Sequence, residues 1–243
     1  MSGILRRHAF SLTFTALILG FLLFPRQDSG DISRFSGYTM GTGYDVQVVD
    51  LPETTSLDQV SADVAELLRH LDREVFSTYA PESELSRFNR LPVDQPYSAS
   101  EELFEVLVMA QDIAEVSNGA FDITVGPLVD LWGFGPEPGL PPDALPSQAA
   151  IERAMATTGF QHLQLRADSR TIIKSRPVSV DLSAIAKGYA VDRVGDYFDS
   201  LGVHSYFLEI GGELKMKGLK PGGLSWVPAI EAPTDAAAQI YEI

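Results

Sequence analysis

Apolar Tyr44, Val46 and Val48 alternate with polar residues in "YDVQVVD", which predicts a half-buried strand. The preceding "RFSGYTMGT" predicts its pairing strand, with Met40-Gly41-Thr42 at the bend. Ser56 and Gln59 form a capping box, and Leu57, Val60, Val64, Leu67, Leu68, Leu71 and Val75 then keep helical spacing. A second capping box, Ser98 with Glu101, opens a helix through Leu103, Leu107, Ala110 and Ala114 that Asn118-Gly119 ends. Between these helices "STYAPESELSRFNR" reads as a polar loop with aromatics at Tyr79 and Phe88. Ser147 starts a shorter helix to about Thr157, after a proline-rich surface loop, "EPGLPPDALPS". Strands are expected at His162–Leu165 and Thr171–Lys174, then a helix to Leu201, then strands at Tyr206–Ile210, Leu214–Lys217 and Ser225–Glu231. Helices in pairs between runs of antiparallel strands make the expected class α+β.

Composition narrows the chemistry. The chain has 243 residues, 45% of them hydrophobic, enough to bury a substantial core. Its net charge of -15 argues against nucleic-acid backbones and anionic membrane surfaces as main partners. With no cysteine, a disulfide, a thiolate nucleophile and a cysteine zinc site are excluded. The N-terminus is different in kind: Arg6 and Arg7 precede an uncharged run from Ala9 to Phe24, the pattern of a signal peptide or signal anchor over residues 1–30. That segment carries three arginines and one aspartate, so the acidity belongs to the domain that follows, residues 31–243.

The four histidines, His8, His70, His162 and His204, are too scattered for a local histidine metal site. There is no Gly-x-Ser-x-Gly elbow, no Walker A lysine loop and no Gly-x-Gly-x-x-Gly run. What remains is "DLSAIAKGYAVD", from Asp181 to Asp192, where small residues surround a single Lys187. Such a stretch lets a helix begin close against a phosphate or a metal. It equally describes a tight strand-to-helix turn, with Asp181 as a local cap and Lys187 solvated. Tyr79 is open to a similar double reading, as a stacking residue or as a core-edge aromatic. Gly211-Gly212 reads as a turn or as a close backbone approach to a flat ligand.

Taken together, "GYTMGT", "STYAPESELSRFN", "GAFDITVGPLVDLWGF", "VDLSAIAKGYAVD" and "EIGGELKMKGLKPGGLSWVPAIEAP" resemble, in order, the ApbE family of FAD:protein FMN transferases. The resemblance covers nearly all of the stretch from Phe35 to the C-terminus. It implies a T-fold-like α+β architecture and export to the periplasmic side of the inner membrane. It also implies a Mg²⁺-dependent split of FAD, with FMN passed to a threonine or serine of flavin-carrying subunits of Nqr- or Rnf-type redox complexes. By motif position, Met40, Tyr79, Ala120, Phe121, Asp122, Asp181 and Lys187 would contact FAD, and Ala184 would offer its carbonyl to the metal. Lys187 stands where some members carry Glu. A non-catalytic FAD-binding or assembly protein and a metal-dependent FAD pyrophosphatase are the alternatives.

The family pattern continues past "WVPAIEAP" with Ser-Gly-Asp-Tyr, His-x-x-Asp-Pro and Asp-x-x-x-Thr segments, which carry its side-chain magnesium ligands and a histidine. Here the tail "AAAQIYEI" reads as the start of another strand, so the expectation is a chain cut within its fold.

Overall fold

The alternation at Tyr44, Val46 and Val48 is matched by Tyr206, Leu208 and Ile210, and the two sets face each other residue for residue: Tyr44 opposite Ile210, Val46 opposite Leu208, Val48 opposite Tyr206. All six are buried on one face of a sheet, as the two-residue period of a strand requires. The structure is a computed structural model, and it describes residues 30–136 and 144–229.

Four antiparallel strands form the first sheet. β1 (Ile32–Thr39) and β2 (Thr42–Val49) are joined at Met40-Gly41, and β6 (Ser205–Ile210) lies between β2 and β7 (Glu213–Lys217). Helix α1 (Leu57–His70) starts where expected, with Ser56 Oγ accepting from Gln59 N at 3.1 Å. It packs on β1, while α6 (Ala186–Ser200) packs on β6 and β7. A second sheet, ordered β3-β5-β4, consists of β3 (Tyr97–Ser98), β4 (Leu163–Arg166) and β5 (Thr171–Lys174). Side chains from both sheets and from α1, α3 (Glu101–Val116) and α6 join one continuous buried cluster. The architecture is α+β.

Four local expectations change. The cap of α3 is Ser100, whose Oγ accepts from Leu103 N, rather than Ser98, which pairs in β3 with Thr171. Ser100, two residues on, lies beyond the strand, so it is the one free to turn back on the helix N-terminus. The polar stretch from Ser77 to Arg90 contains a helix, α2 (Glu84–Arg90), capped by Ser83 Oγ accepting from Ser86 N. The expected helix through Val75 becomes, from Leu71, a π-helical turn, Leu71–Phe76, in which Ser77 N donates to Asp72 O. No strand forms over residues 225–229; Trp226 instead donates from Nε1 to Lys217 O at 3.1 Å.

A short helix, α4 (Gly126–Leu131), arises in the glycine- and aromatic-rich segment, and α5 (Gln148–Met155) begins after Ser147 as expected. The signal-like N-terminus, most of the proline-rich loop and the tail expected to begin a strand lie outside the described residues. Among the described residues, no helix is long and apolar enough to cross a membrane.

Candidate functional site

Two tight turns meet at one end of the first sheet. At the β1–β2 turn, Met40 has φ 48° and Gly41 φ 76°; at the β6–β7 turn, Gly211 has φ 55° and Gly212 φ 93°. Left-handed pairs of this kind match the twist of two-residue hairpins. Gly211 N donates to Gly43 O at 3.2 Å, which locks the turns side by side. A Cβ on Gly211 would come within 2.6 Å of Thr42 Cγ2 and 3.1 Å of Lys187 Cδ. Glycine is needed here by both the backbone angle and the close approach.

Beside these turns lies a cleft of about 450 Å³. Met40 and Gly41 form one side, the π-helical turn and its sequel from Asp72 to Tyr79 another, and Asp181 to Lys187 the floor. The floor follows from local chemistry. Asp181 N donates to Ile123 O at 2.8 Å, and Asp181 Oδ1 accepts from Ser183 N at 2.9 Å, an aspartate turn that bends the chain into α6. No side chain caps α6 at Ile185, so its N-terminal end faces the cleft without a capping carboxylate. An added Cβ at Gly188 would meet nothing within 4 Å, leaving open space over the first turn.

The wall is held just as specifically. Ser77 O accepts from Ser83 Oγ at 2.6 Å and from Ser86 Oγ at 3.0 Å, so the N-terminal serines of α2 pin the chain leading to Tyr79. Phe76 packs edge-on against Tyr189 of α6, ring centroids 5.6 Å apart. Burial, aided by a 2.8 Å hydrogen bond to Glu105, pushes the Tyr189 phenol well above its ordinary pKa and keeps it a neutral donor. Tyr79 itself is exposed, and its hydroxyl donates to Phe134 O.

Met40, Tyr79, Asp181 and Lys187, four residues singled out by motif, therefore come together from three separate segments. Asp181 is buried, and Lys187 Nζ donates to Ser183 O at 3.2 Å. A second cavity of about 560 Å³ shares Thr78, Tyr79 and Asp181 with the first and extends past Asn89, Arg90 and Asp130. Ala120, Phe121 and Asp122 line neither cavity. Phe121 packs against the core, and Asp122 accepts from Thr124 N, Thr124 Oγ1 and Phe160 N at 2.7, 2.6 and 2.9 Å. Ala184 sits exposed in the turn before α6.

Sequence reasoning passed over Asp72, Arg73, Phe76, Ser77 and Thr78, all of which line the cleft. Their helical spacing concealed the π-helical turn, a feature that often marks functional sites. For metal binding, no group of three or more His, Asp or Glu side chains suited to an ion occurs among the described residues.

The model of the ApbE family matches residues 40–243. A FAD:protein FMN transferase of Vibrio cholerae is 40% identical over 211 residues, covering 86% of this chain and 62% of the relative. One from Haemophilus influenzae is 36% identical over 229 residues, covering 93% and 66%. The chain thus spans roughly three fifths to two thirds of these relatives. Among solved structures, the flavin transferase ApbE from Vibrio cholerae superposes with a TM-score of 0.80 at 38% identity, covering 87% of this chain and 68% of the other. An ApbE protein from Thermotoga maritima gives 0.74 at 27% identity, covering 86% and 66%.

Proposed function

The chain belongs to the ApbE family, and from that membership we propose that it transfers FMN from FAD to a threonine or serine of a target flavoprotein, releasing AMP. The observation that carries this reading is the convergence of Met40, Tyr79, Asp181 and Lys187 on one cleft at the start of α6. That cleft and its neighbour, about 450 and 560 Å³, share a wall and suit the two halves of a dinucleotide.

In this reading Tyr79 offers an aromatic face to a ring of FAD, and Asp181 accepts hydrogen bonds from the nucleotide. Lys187 and the N-terminal end of α6 place positive charge beside the pyrophosphate. The acceptor oxygen forms a bond to the FMN-side phosphorus while the bond from that phosphorus to the bridging oxygen breaks. The hydroxyl proton passes to solvent, and AMP departs with the bridging oxygen. Holding these groups in line and neutralising their charge accounts for most of the acceleration such a transfer needs.

Magnesium belongs to the proposal through the family, with the Ala184 carbonyl as its contact on this chain. When bound it would neutralise pyrophosphate charge. The described residues do not by themselves complete a cation site.

The proposal places the reaction on the periplasmic side of the inner membrane, supported by the Arg6-Arg7 and apolar pattern of the N-terminus. Flavin-carrying subunits of Nqr- or Rnf-type complexes are the proposed acceptors. The test is intact-mass analysis of an acceptor domain after incubation with the full chain, FAD and Mg²⁺. One added FMN supports transfer. Release of free FMN and AMP without an adduct means a pyrophosphatase instead, and FAD binding without turnover means a non-catalytic flavin protein.

A further inference from the structure

Lys174 ends β5 and is only 3% exposed. Its ammonium donates to two backbone carbonyls, Asn89 O at 2.6 Å and Val178 O at 3.4 Å, and stands 5.5 Å over the Phe88 ring. Burial alone pulls its pKa below the ordinary lysine value, in keeping with the lack of a carboxylate partner among the described residues. A buried ammonium without a counter-charge is costly, and an apolar side chain of similar length would fill the same space more cheaply.

What lysine does that methionine cannot is hold the Asn89 carbonyl. Asn89 lies in the last turn of α2, where carbonyls lack partners within the helix, and a cation there also complements the helix dipole. With its backbone fixed, Asn89 turns its carboxamide onto Val180 and bonds both the N–H and the C=O of that residue. Nδ2 donates to Val180 O and Oδ1 accepts from Val180 N, each at 2.8 Å. The side chain thus acts as a one-residue strand partner. The next residue is Asp181, held on its own N–H by Ile123 O. Lys174, Asn89 and Val180 form a continuous set of contacts from the second sheet to the cleft floor.

We propose that Lys174 is a positioning residue for flavin nucleotide binding, acting through Asn89 and Val180 to fix Asp181 in the cleft. The inference rests on the functional reading above. A purely structural lysine would change the stability of the fold but not the affinity of the molecules that do fold. A positioning lysine changes affinity at nearly constant stability.

The experiment measures the FAD dissociation constant, by flavin fluorescence with Mg²⁺ present, and the melting temperature on the same samples of the full chain. The variants are Lys174→Met, Asn89→Ala and the double variant. The expected result is a loss of FAD affinity of about tenfold or more in each single variant, with the melting temperature of Lys174→Met within a few degrees of wild type and that of Asn89→Ala lower, because it strands the N–H and C=O of Val180. The double variant should lose no more than the worse single variant, because the two residues act in one chain of contacts.

Wild-type affinity in folded Lys174→Met overturns the inference. If Lys174→Met does not fold, Lys174→Leu decides in its place, since Asn89 itself borders the second cavity; unchanged affinity there also overturns it. Losses that add in the double variant mean independent effects and reject the linkage. Failure of the wild type to bind FAD removes the functional reading and this inference together, an outcome distinct from wild-type binding with unaffected variants.

Discussion

The Tyr79 hydroxyl donates a 2.8 Å hydrogen bond to the Phe134 carbonyl, so a side chain that is 61% exposed is anchored at its tip. The bond joins the wall of the cleft to the segment that follows α4. An exposed aromatic held this way keeps its ring in one orientation before any ligand arrives, which lowers the ordering cost of stacking.

Tyr79→Phe removes the bond and keeps the ring. Stability should fall by less than about 1 kcal/mol, because the bond is solvent-accessible, and FAD affinity should weaken about threefold. Tyr79→Ala removes the ring as well and should weaken FAD by about tenfold or more. Fluorescence titration with FAD checks both. Equal, negligible losses in the two variants would mean that the ring does not meet the flavin nucleotide.

Lys187 is assigned to a phosphate, so its effect should depend on whether the ligand has one. Lys187→Met is expected to weaken FAD about tenfold or more, the loss of one charge-assisted hydrogen bond, while riboflavin binding stays within about twofold of wild type. Parallel titrations with FAD, FMN and riboflavin read this directly. A loss of the same size for riboflavin would put Lys187 against the ring system instead.

The elements that were legible in the sequence are those whose own pattern decides their structure. The Ser56 cap with the Val60-Val64-Leu68 stripe identifies α1, and strict alternation identifies β2 and β6. Helix α2 escaped notice because only Leu85 and Phe88 mark its buried side while serines do the rest, capping it and tying down Ser77 O. Ser98 and Ser100 are equivalent as letters; pairing of β3 with β5 decided between them. The site shows the same division. Motifs named Met40, Tyr79, Asp181 and Lys187, but Lys174 and Asn89 act on residues 4 to 91 positions away, through backbone atoms that no motif reports.

Asp122 was expected at the nucleotide by motif, and its carboxylate makes three hydrogen bonds within the protein. It joins the loop after α3 to the turn at Gly159-Phe160, where Thr124 Oγ1 also accepts from Gly159 N. Asp122→Ala strands two backbone N–H groups and a hydroxyl, so the loss should be about 2–4 kcal/mol, measured by urea unfolding. Asp122→Asn, which keeps an acceptor oxygen, should lose less. Wild-type stability in Asp122→Ala would show that this network is dispensable and that the carboxylate is free to serve a ligand.

Tyr197 on α6 donates to Asp63 Oδ2 on α1 at 2.6 Å, and its proton should make stability depend on pH in alkaline solution. Burial first, and then the bond to Asp63, push the phenol from 10.0 up to about 12. An unfolded tyrosine therefore loses its proton at a pH where the folded one keeps it. The folded state binds more protons in that interval, so stability falls as pH rises. The contribution of this bond is complete below about pH 10 and fades as pH passes through about 12. Tyr189, raised by burial and Glu105, adds to the decline in the same direction. Tyr197→Phe should be less stable than wild type at pH 8 because it lacks the bond, yet lose less stability between pH 8 and pH 11. Urea unfolding of both proteins at those two pH values supplies the comparison, and the gap between them should narrow at the higher pH. A gap that stays constant or widens would mean that the folded state does not hold the Tyr197 proton more tightly than the unfolded chain does.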